Sequence, residues 1–461
     1  MKSTDIQVTS ACWATEQIHY RAPMKFGGRV VTEVTLLHVE VEVVTRDGRR
    51  ASGRGSMPMG NVWSWPSNLV PADATLAAIV ALGQRYVDSA PVLAPVGDPL
   101  QITSALAAQL PQLAREVTDT QQLAEPMPRL AQLVAASPLE AAIHDAFGRA
   151  LHENSYRLLS AEYINQDLGH WLGPEFAGEY LDQYTRPTPV PTLPIYHLVG
   201  ALDPLTPGDV ATRLNDGLPE TLGEWIHADQ LTHLKIKLNG DNLDWDVQRV
   251  INIDRVAAEA QQSRGCHQWY YSLDFNERCA NVDYVLDFLG RVQSERPAAW
   301  PRIQYVEQPT HRDLRANPEN RMHRAAALKP VVIDESLIDL DSLLLSREMG
   351  YSGVALKACK GHTEALLMGA AAQKYQLFLC VQDLTCPGAS FLHSASLASR
   401  VPGVAAIEGN ARQYCPAGNR WWRDVYPEMF HVRDGALQTR VLDEIGLGFH
   451  WPADHGKPPR T

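Results

Sequence analysis

The chain has 461 residues, of which 45% are apolar and 20% charged, and its formal net charge is −12. That length exceeds one ordinary compact core and implies two domains, while the acidic balance excludes a nucleic-acid partner, which demands clustered Lys and Arg. No apolar run reaches membrane-spanning length and the start, MKSTDIQVTSACWATEQ, has no apolar signal core, so no membrane partner and a cytoplasmic location are expected.

Residues 29–55, RVVTEVTLLHVEVEVVTRDGRRASGRG, alternate β-branched residues up to Asp47-Gly48 and then begin a second run, the pattern of an antiparallel hairpin sheet. Residues 72–155 are rich in Ala and Leu with helical spacing, and Ser137-Pro138-Leu139-Glu140 reads as a cap followed by proline at a first helical position. Residues 1–155 are therefore expected to form one α+β domain. Residues 156–190 are irregular and end in the Pro-rich TRPTPVPTLP, a linker or insertion.

From 191 to 412 the rhythm changes. Short apolar runs recur at 193–199, 234–238, 269–275, 303–306, 330–333, 354–356, 377–381 and 404–407, with amphipathic stretches between most of them. Eight strands alternating with helices fit an α/β barrel. A doubly wound open sheet competes, but no Gly-rich phosphate turn follows the first run. Seven cysteines are scattered without CxxC spacing, which argues against both a disulfide framework and a zinc site.

The chemistry sits at the strand ends. The third run ends in Asp274 (YSLDFNE), the fourth in Glu307 (QYVEQP) and the fifth in Asp334 (VVIDES). Neighbouring strands lie roughly 4.8 Å apart, so three such carboxylates can converge on one cation. Oxygen ligands without His or Cys favour Mg²⁺ over zinc. The second run carries Lys235 and Lys237 (HLKIKLN), which share one face of a strand, and the sixth ends in Lys357 (VALKACKG). Strands two and six face each other across an eight-strand ring, so amines flank the carboxylates from opposite sides. A desolvated lysine near a cation has its pKa lowered toward a useful base. Metal coordination neutralises a substrate carboxylate and stabilises the enediolate formed when the α-proton leaves.

The Lys-x-Lys pair, Asp-x-Asn, Glu-Gln-Pro, Asp-Glu-Ser and the later lysine together resemble the muconate-lactonizing-enzyme subgroup of the enolase superfamily. Residues 21–55 resemble the start of that family's capping domain, and PLEAAIHDAFG the helix before its barrel. The resemblance implies a (β/α)7β-type TIM barrel over 191–412, with an N-terminal α+β cap completed by a C-terminal segment, 413–461. It implies Asp274, Glu307 and Asp334 as ligands of Mg²⁺ or Mn²⁺. Lys237 and Lys357 would be the acid/base pair, with Lys235 assisting.

Departures from the family pattern bear on the substrate, a small-molecule carboxylate. After the seventh strand stands CVQDLTCPG, placing Gln382 and Asp383 in the pocket, and after the eighth stands AAIEGNARQYC, where Glu408 alone replaces an Asp-x-Asp. Asn276 and Glu335 follow the metal ligands directly. Cap loops RAPMKFGG and GNVWSWPS offer Arg21 or Lys25 to a second anionic group and Trp63 or Trp65 to an apolar one. His233, His362 and His393 are expected to be structural, and Trp421-Trp422 to pack the C-terminal segment on the cap. The expected reaction is racemisation or epimerisation beside a carboxylate, in an amino-acid derivative or related acid. Syn elimination or cycloisomerisation with one working base is the alternative, and a non-catalytic scaffold the third. A homo-oligomer is expected, as for most soluble enzymes.

Overall fold

The computed structural model describes residues 1–26 and 29–451. Three antiparallel strands open it: β1 (Ile6–Phe26), β2 (Arg29–Thr45) and β3 (Arg50–Pro58), in that order across the sheet. The β2–β3 hairpin turns at Asp47-Gly48 as expected. β1 was not expected, because its polar and partly exposed residues hide the alternation; pairing with β2 along nearly its whole length makes it a strand.

A short helix, Asn61–Ser64, and then four longer ones follow, Ala72–Leu93, Pro99–Ala107, Leu110–Thr120 and Arg129–Leu151. The last corrects the reading of Ser137-Pro138 as a helix start, since the helix runs straight through Pro138. An interior proline removes one backbone bond and costs about 3 kcal/mol. Here Ser137 Oγ donates to the freed Val134 carbonyl at 2.8 Å, and burial on nearly every face holds the helix together. It lies so close to β3 that a Cβ on Gly55 would sit 2.0 Å from the Pro138 carbonyl oxygen.

The barrel closes from eight parallel strands, β4 (Leu193–Val199), β5 (His233–Lys237), β6 (Tyr270–Asp274), β7 (Ile303–Glu307), β8 (Val331–Ile333), β9 (Gly353–Leu356), β10 (Phe378–Val381) and β11 (Val404–Glu408). β11 pairs back onto β4 and completes the ring. Helices follow each of the first seven strands, which is the (β/α)7β arrangement. Residues 156–190 form short helical turns against the barrel's outer helices, with Lys374 Nζ donating to Glu179 at 2.7 Å and the Val190 amide to Ser399 O at 2.9 Å. A short C-terminal strand, β12 (Ala436–Leu437), pairs antiparallel with the start of β4. Trp422 is buried among Phe449 and Trp451, and Trp451 reaches His38 and Arg54 of the cap, while Trp421 lies at the surface. Among the described residues no helix is long and apolar enough to cross a membrane.

Candidate active site

Period-two alternation builds the site. Tyr196, Tyr305, Val332, Ala355, Cys380 and Ala406 pack together as an apolar floor inside the barrel. Two residues further along each strand, on the same face, stand Leu198, Glu307, Asp334, Lys357, Gln382 and Glu408. β5 adds Lys235 and Lys237, and β6 adds Asp274, which pairs in register with Lys237 on one side and Glu307 on the other. The charges are thus placed by strand register above a dry layer. All of these side chains are buried.

Lys235 is the hub. Its Nζ donates to Glu307 Oε1 and Glu408 Oε2 at 2.9 Å each and lies 3.2 Å from Asp274 Oδ2. Lys237 Nζ donates to Asp274 Oδ2 at 2.5 Å and to Asn276 Oδ1 at 3.1 Å. Lys357 Nζ lies 3.0 Å from Asp334 Oδ2. A fourth lysine escaped the sequence reading: Lys360 Nζ donates to Asp334 O at 2.6 Å and approaches Oδ1 at 3.3 Å. Its three-residue offset from Lys357 in LKACKG was the available signal; a tight turn after β9 brings both to one carboxylate.

These pairings decide the electrostatics. Burial alone would raise the Asp274 carboxyl, but the Lys237 and Lys235 ammonium groups outweigh it and hold it below the ordinary carboxylate range. Glu307 is driven well above that range by burial first, then by Asp274 and Asp334, against the pull of Lys235. Desolvation was expected to lower the lysines. It acts in that direction on Lys235 and Lys357, but their carboxylate partners overcome it and raise both. For Lys360 burial wins and lowers the amine. Burial and then Asp334 push Glu335 up to about 8; burial and then Glu408 push Asp383 up to about 7.

The cavity above this layer is lined by Lys235, Lys237, Asp274, Asn276, Asp334, Lys357, Asp383 and Glu408 on the barrel side. Glu307 and Gln382 lie just beneath, with Gln382 Nε2 donating to Glu307 Oε2 at 2.5 Å. Gln308 stitches two strand ends together: its Oε1 accepts from the Asp334 and Ser336 amides at 3.0 and 3.3 Å, and its Nε2 donates to Ser336 Oγ at 2.8 Å. Asp383 accepts from the Thr385, Cys386 and Asn410 amides, each at 3.3 Å.

From the cap, Trp63 closes the cavity. Its ring centroid lies 4.3 Å from Lys357 Nζ and 5.5 Å from Lys360 Nζ, and its indole N–H donates to Glu335 Oε1 at 3.1 Å. Trp65 instead donates to Glu125 at 2.6 Å inside the cap. Arg21 is not brought into this cavity. Its Nη2 donates to Asp216 Oδ1 at 2.9 Å and its Nη1 to Pro219 O at 3.2 Å. Lys25 lines a small adjoining space with Lys237, Asn276 and Arg278. The cap residues that do face the cavity include Tyr20 and Met24 on β1 and Glu33 and Val34 on β2; sequence reasoning missed the first two because β1 itself was missed. The histidines are packed away from the cavity: His362 Nδ1 and His393 Nε2 are 2.8 Å apart, and His233 meets Tyr196 edge-on and Tyr270 at a tilt.

The donor set fits a hard divalent cation. Three carboxylates converge from β6, β7 and the end of β8; burial, and then Asp274 and Asp334, raise Glu307, and Glu335 Oε2 is buried without a partner. As arranged, their oxygens face ammonium groups, and among the described residues no three His, Cys, Asp or Glu side chains converge as ligands. To hold a cation, Asp274, Glu307 and Asp334 would have to be released from these lysines.

A barrel with lysines and carboxylates on its C-terminal strand ends, roofed by an α+β cap, defines a class of enzymes that handle carbon acids. The chain belongs to the enolase superfamily: residues 218–455 match the family model described as Enolase C-terminal domain-like. The fold recurs in the muconate lactonizing enzyme of Pseudomonas fluorescens complexed with muconolactone, at 17% identity and TM-score 0.58, over 97% of this chain and 96% of that one. It recurs in the dipeptide epimerase of Enterococcus faecalis V583 complexed with Mg and L-Leu-L-Tyr, at 14% identity and TM-score 0.60, over 96% and 99%. A third example is the 2-chloromuconate cycloisomerase of Rhodococcus opacus 1CP, at 15% and 0.58, over 96% of each chain. No curated protein sequence matches. The chain is accordingly an enzyme of this superfamily, muconate-lactonizing-enzyme-like in fold, and the scaffold reading is set aside.

Proposed function

We propose that the enzyme removes the proton beside a substrate carboxylate, with Asp274, Glu307 and Asp334 holding Mg²⁺ and Lys237 and Lys357 as the acid/base pair. A bound Mg²⁺ would neutralise the substrate carboxylate and stabilise the charge left on it as the α-proton departs. Lys237, released from Asp274 and in its neutral form, takes a proton from one face of the α-carbon. Lys357, on the opposite strand, returns one to the other face. Lys235 stays beneath as counter-charge to Glu307 and Glu408, and the apolar cap residues keep water from the reacting carbon. The outcome is racemisation or epimerisation of an amino-acid derivative or related acid. The observation that carries this reading is that amines from β5 and β9 line one cavity, with the carboxylates of the intervening strands between them.

One observation favours a second reading, syn elimination or cycloisomerisation with a single base. Lys357 is gripped as a cation between Asp334 Oδ2 and the Trp63 ring, which suits a residue that stabilises charge. NMR of α-proton exchange into D₂O, on a library of N-acyl amino acids, dipeptides and unsaturated acids, separates the two. With two bases, Lys237→Ala and Lys357→Ala each retain exchange with one enantiomer only, and opposite ones. If Lys357→Ala exchanges both enantiomers, Lys357 is not a base and the single-base reaction stands.

A further inference from the structure

Seven of the eight barrel strands carry a polar or charged group above the floor, and β4 carries Leu198. The ring of chemistry is therefore open on one side, and behind Leu198 lies a second space. This cleft, of about 390 Å³, is bounded by residues 21–23 of β1, the loop 200–221 after β4, and Trp225. The catalytic cavity measures about 80 Å³, below the roughly 300 Å³ at which ligand pockets begin. Leu198 lines both spaces. The partition is made of four side chains, an apolar cluster of Met24, Leu198 and Tyr414 with Tyr20 packed against it. Leu198 and Met24 are held in backbone register opposite Lys235 and Val31, so it is their side chains that would turn aside.

The charges around the cleft are already spent on its walls. Arg21 is paired with Asp216. Asp203 accepts from Tyr414 Oη at 2.6 Å and the Gly200 amide at 2.8 Å. Asp209 closes a capping box with Thr206, and Glu220 accepts the Leu214 amide at 2.9 Å. What remains to contact a guest is apolar: Leu198, Val199, Leu202, Leu222 and Trp225. The acidic residues would also repel a second carboxylate.

We propose that this cleft is the tail pocket of the active site: the substrate is a carboxylate with an uncharged apolar chain or ring that passes Leu198 and lies against Trp225. This rests on the carboxylate being held as described above, and it adds what the rest of the substrate must be.

The test uses N-acetyl-, N-hexanoyl- and N-decanoyl-leucine with Mg²⁺, read by α-proton exchange and by calorimetric binding. Ala22 lines the cleft but touches no catalytic group, so Ala22→Trp fills it from the cap, and Val210→Trp fills it from the loop should the first variant fail to fold. Exchange efficiency (kcat/KM) is expected to rise at least tenfold from acetyl to decanoyl in the wild type. Either variant should abolish that rise and leave the acetyl substrate unchanged. Equal efficiency for all three chains, with no effect of the variants, overturns the tail pocket and leaves the reaction intact. Chain-length-dependent binding that the variants abolish, without any exchange, keeps the tail pocket and overturns the reaction. Absence of chain-length dependence in both readouts overturns the tail pocket.

Discussion

Lys235→Met should be costly to stability in a pH-dependent way. The substitution keeps most of the side-chain volume and deletes an ammonium that donates to Glu307 and Glu408 at 2.9 Å each and lies 3.2 Å from Asp274. All four groups are buried, so solvent screening cannot replace it. Two lost charge-assisted hydrogen bonds, at about 1.5–3 kcal/mol each, and removal of one partner of a buried ion pair, at about 3–5 kcal/mol, are two measures of the same change. Both point to a loss of roughly 3–5 kcal/mol. The sign of the pH dependence follows from Glu307. Burial, then Asp274 and Asp334, already raise its carboxyl in the folded state, and Lys235 is what pulls it down. Without Lys235 the folded state holds that proton to still higher pH than the unfolded chain does, so stability falls as pH rises. Urea denaturation at about pH 6 and pH 8.5 should show a larger deficit at the higher pH, and Lys235→Arg, which keeps the charge, should show a smaller one at both. A loss under about 1 kcal/mol, equal at both pH values, would refute the reasoning, because it would mean that the three carboxylates do not depend on Lys235 for compensation.

Asp274→Asn should weaken Mg²⁺ binding by about 100-fold or more in a calorimetric titration, since it removes charge from the carboxylate shared by Lys235 and Lys237; unchanged affinity would remove Asp274 from the ligand set. Burial and then Glu364 raise Glu140 from 4.5 to about 8. The fold therefore loses stability as pH rises through that window, by roughly 3–5 kcal/mol. Glu140→Gln keeps an acceptor for the Thr363 amide and should flatten thermal-melt stability between about pH 5 and pH 9; a slope as steep as the wild type's would count against it. Trp63→Phe keeps an aromatic face for Lys357 but leaves Glu335 Oε1 without its donor, and should cost about 1–3 kcal/mol in denaturant melts.

The order of the chemistry was legible from sequence because a barrel maps chain order onto ring order. Eight apolar runs named the eight strands, and the residue ending each one fell at the rim, so Lys235, Lys237, Asp274, Glu307, Asp334 and Lys357 could be singled out before any contact was known. Neither β1 nor the run of the helix through Pro138 was legible. A partly exposed strand has no clean alternation, and the helix survives its proline through burial against β3 and a Ser137 hydroxyl. Tertiary structure alone decided which groups pair. It brought Lys360 to Asp334 and turned Arg21 outward to Asp216. It also raised Lys235 and Lys357 where desolvation by itself would lower them. Local sequence dictates where along a strand a side chain points, since that depends only on a period of two. The sign of a buried charge's shift depends on distances between strands far apart in the chain, and the fold sets those.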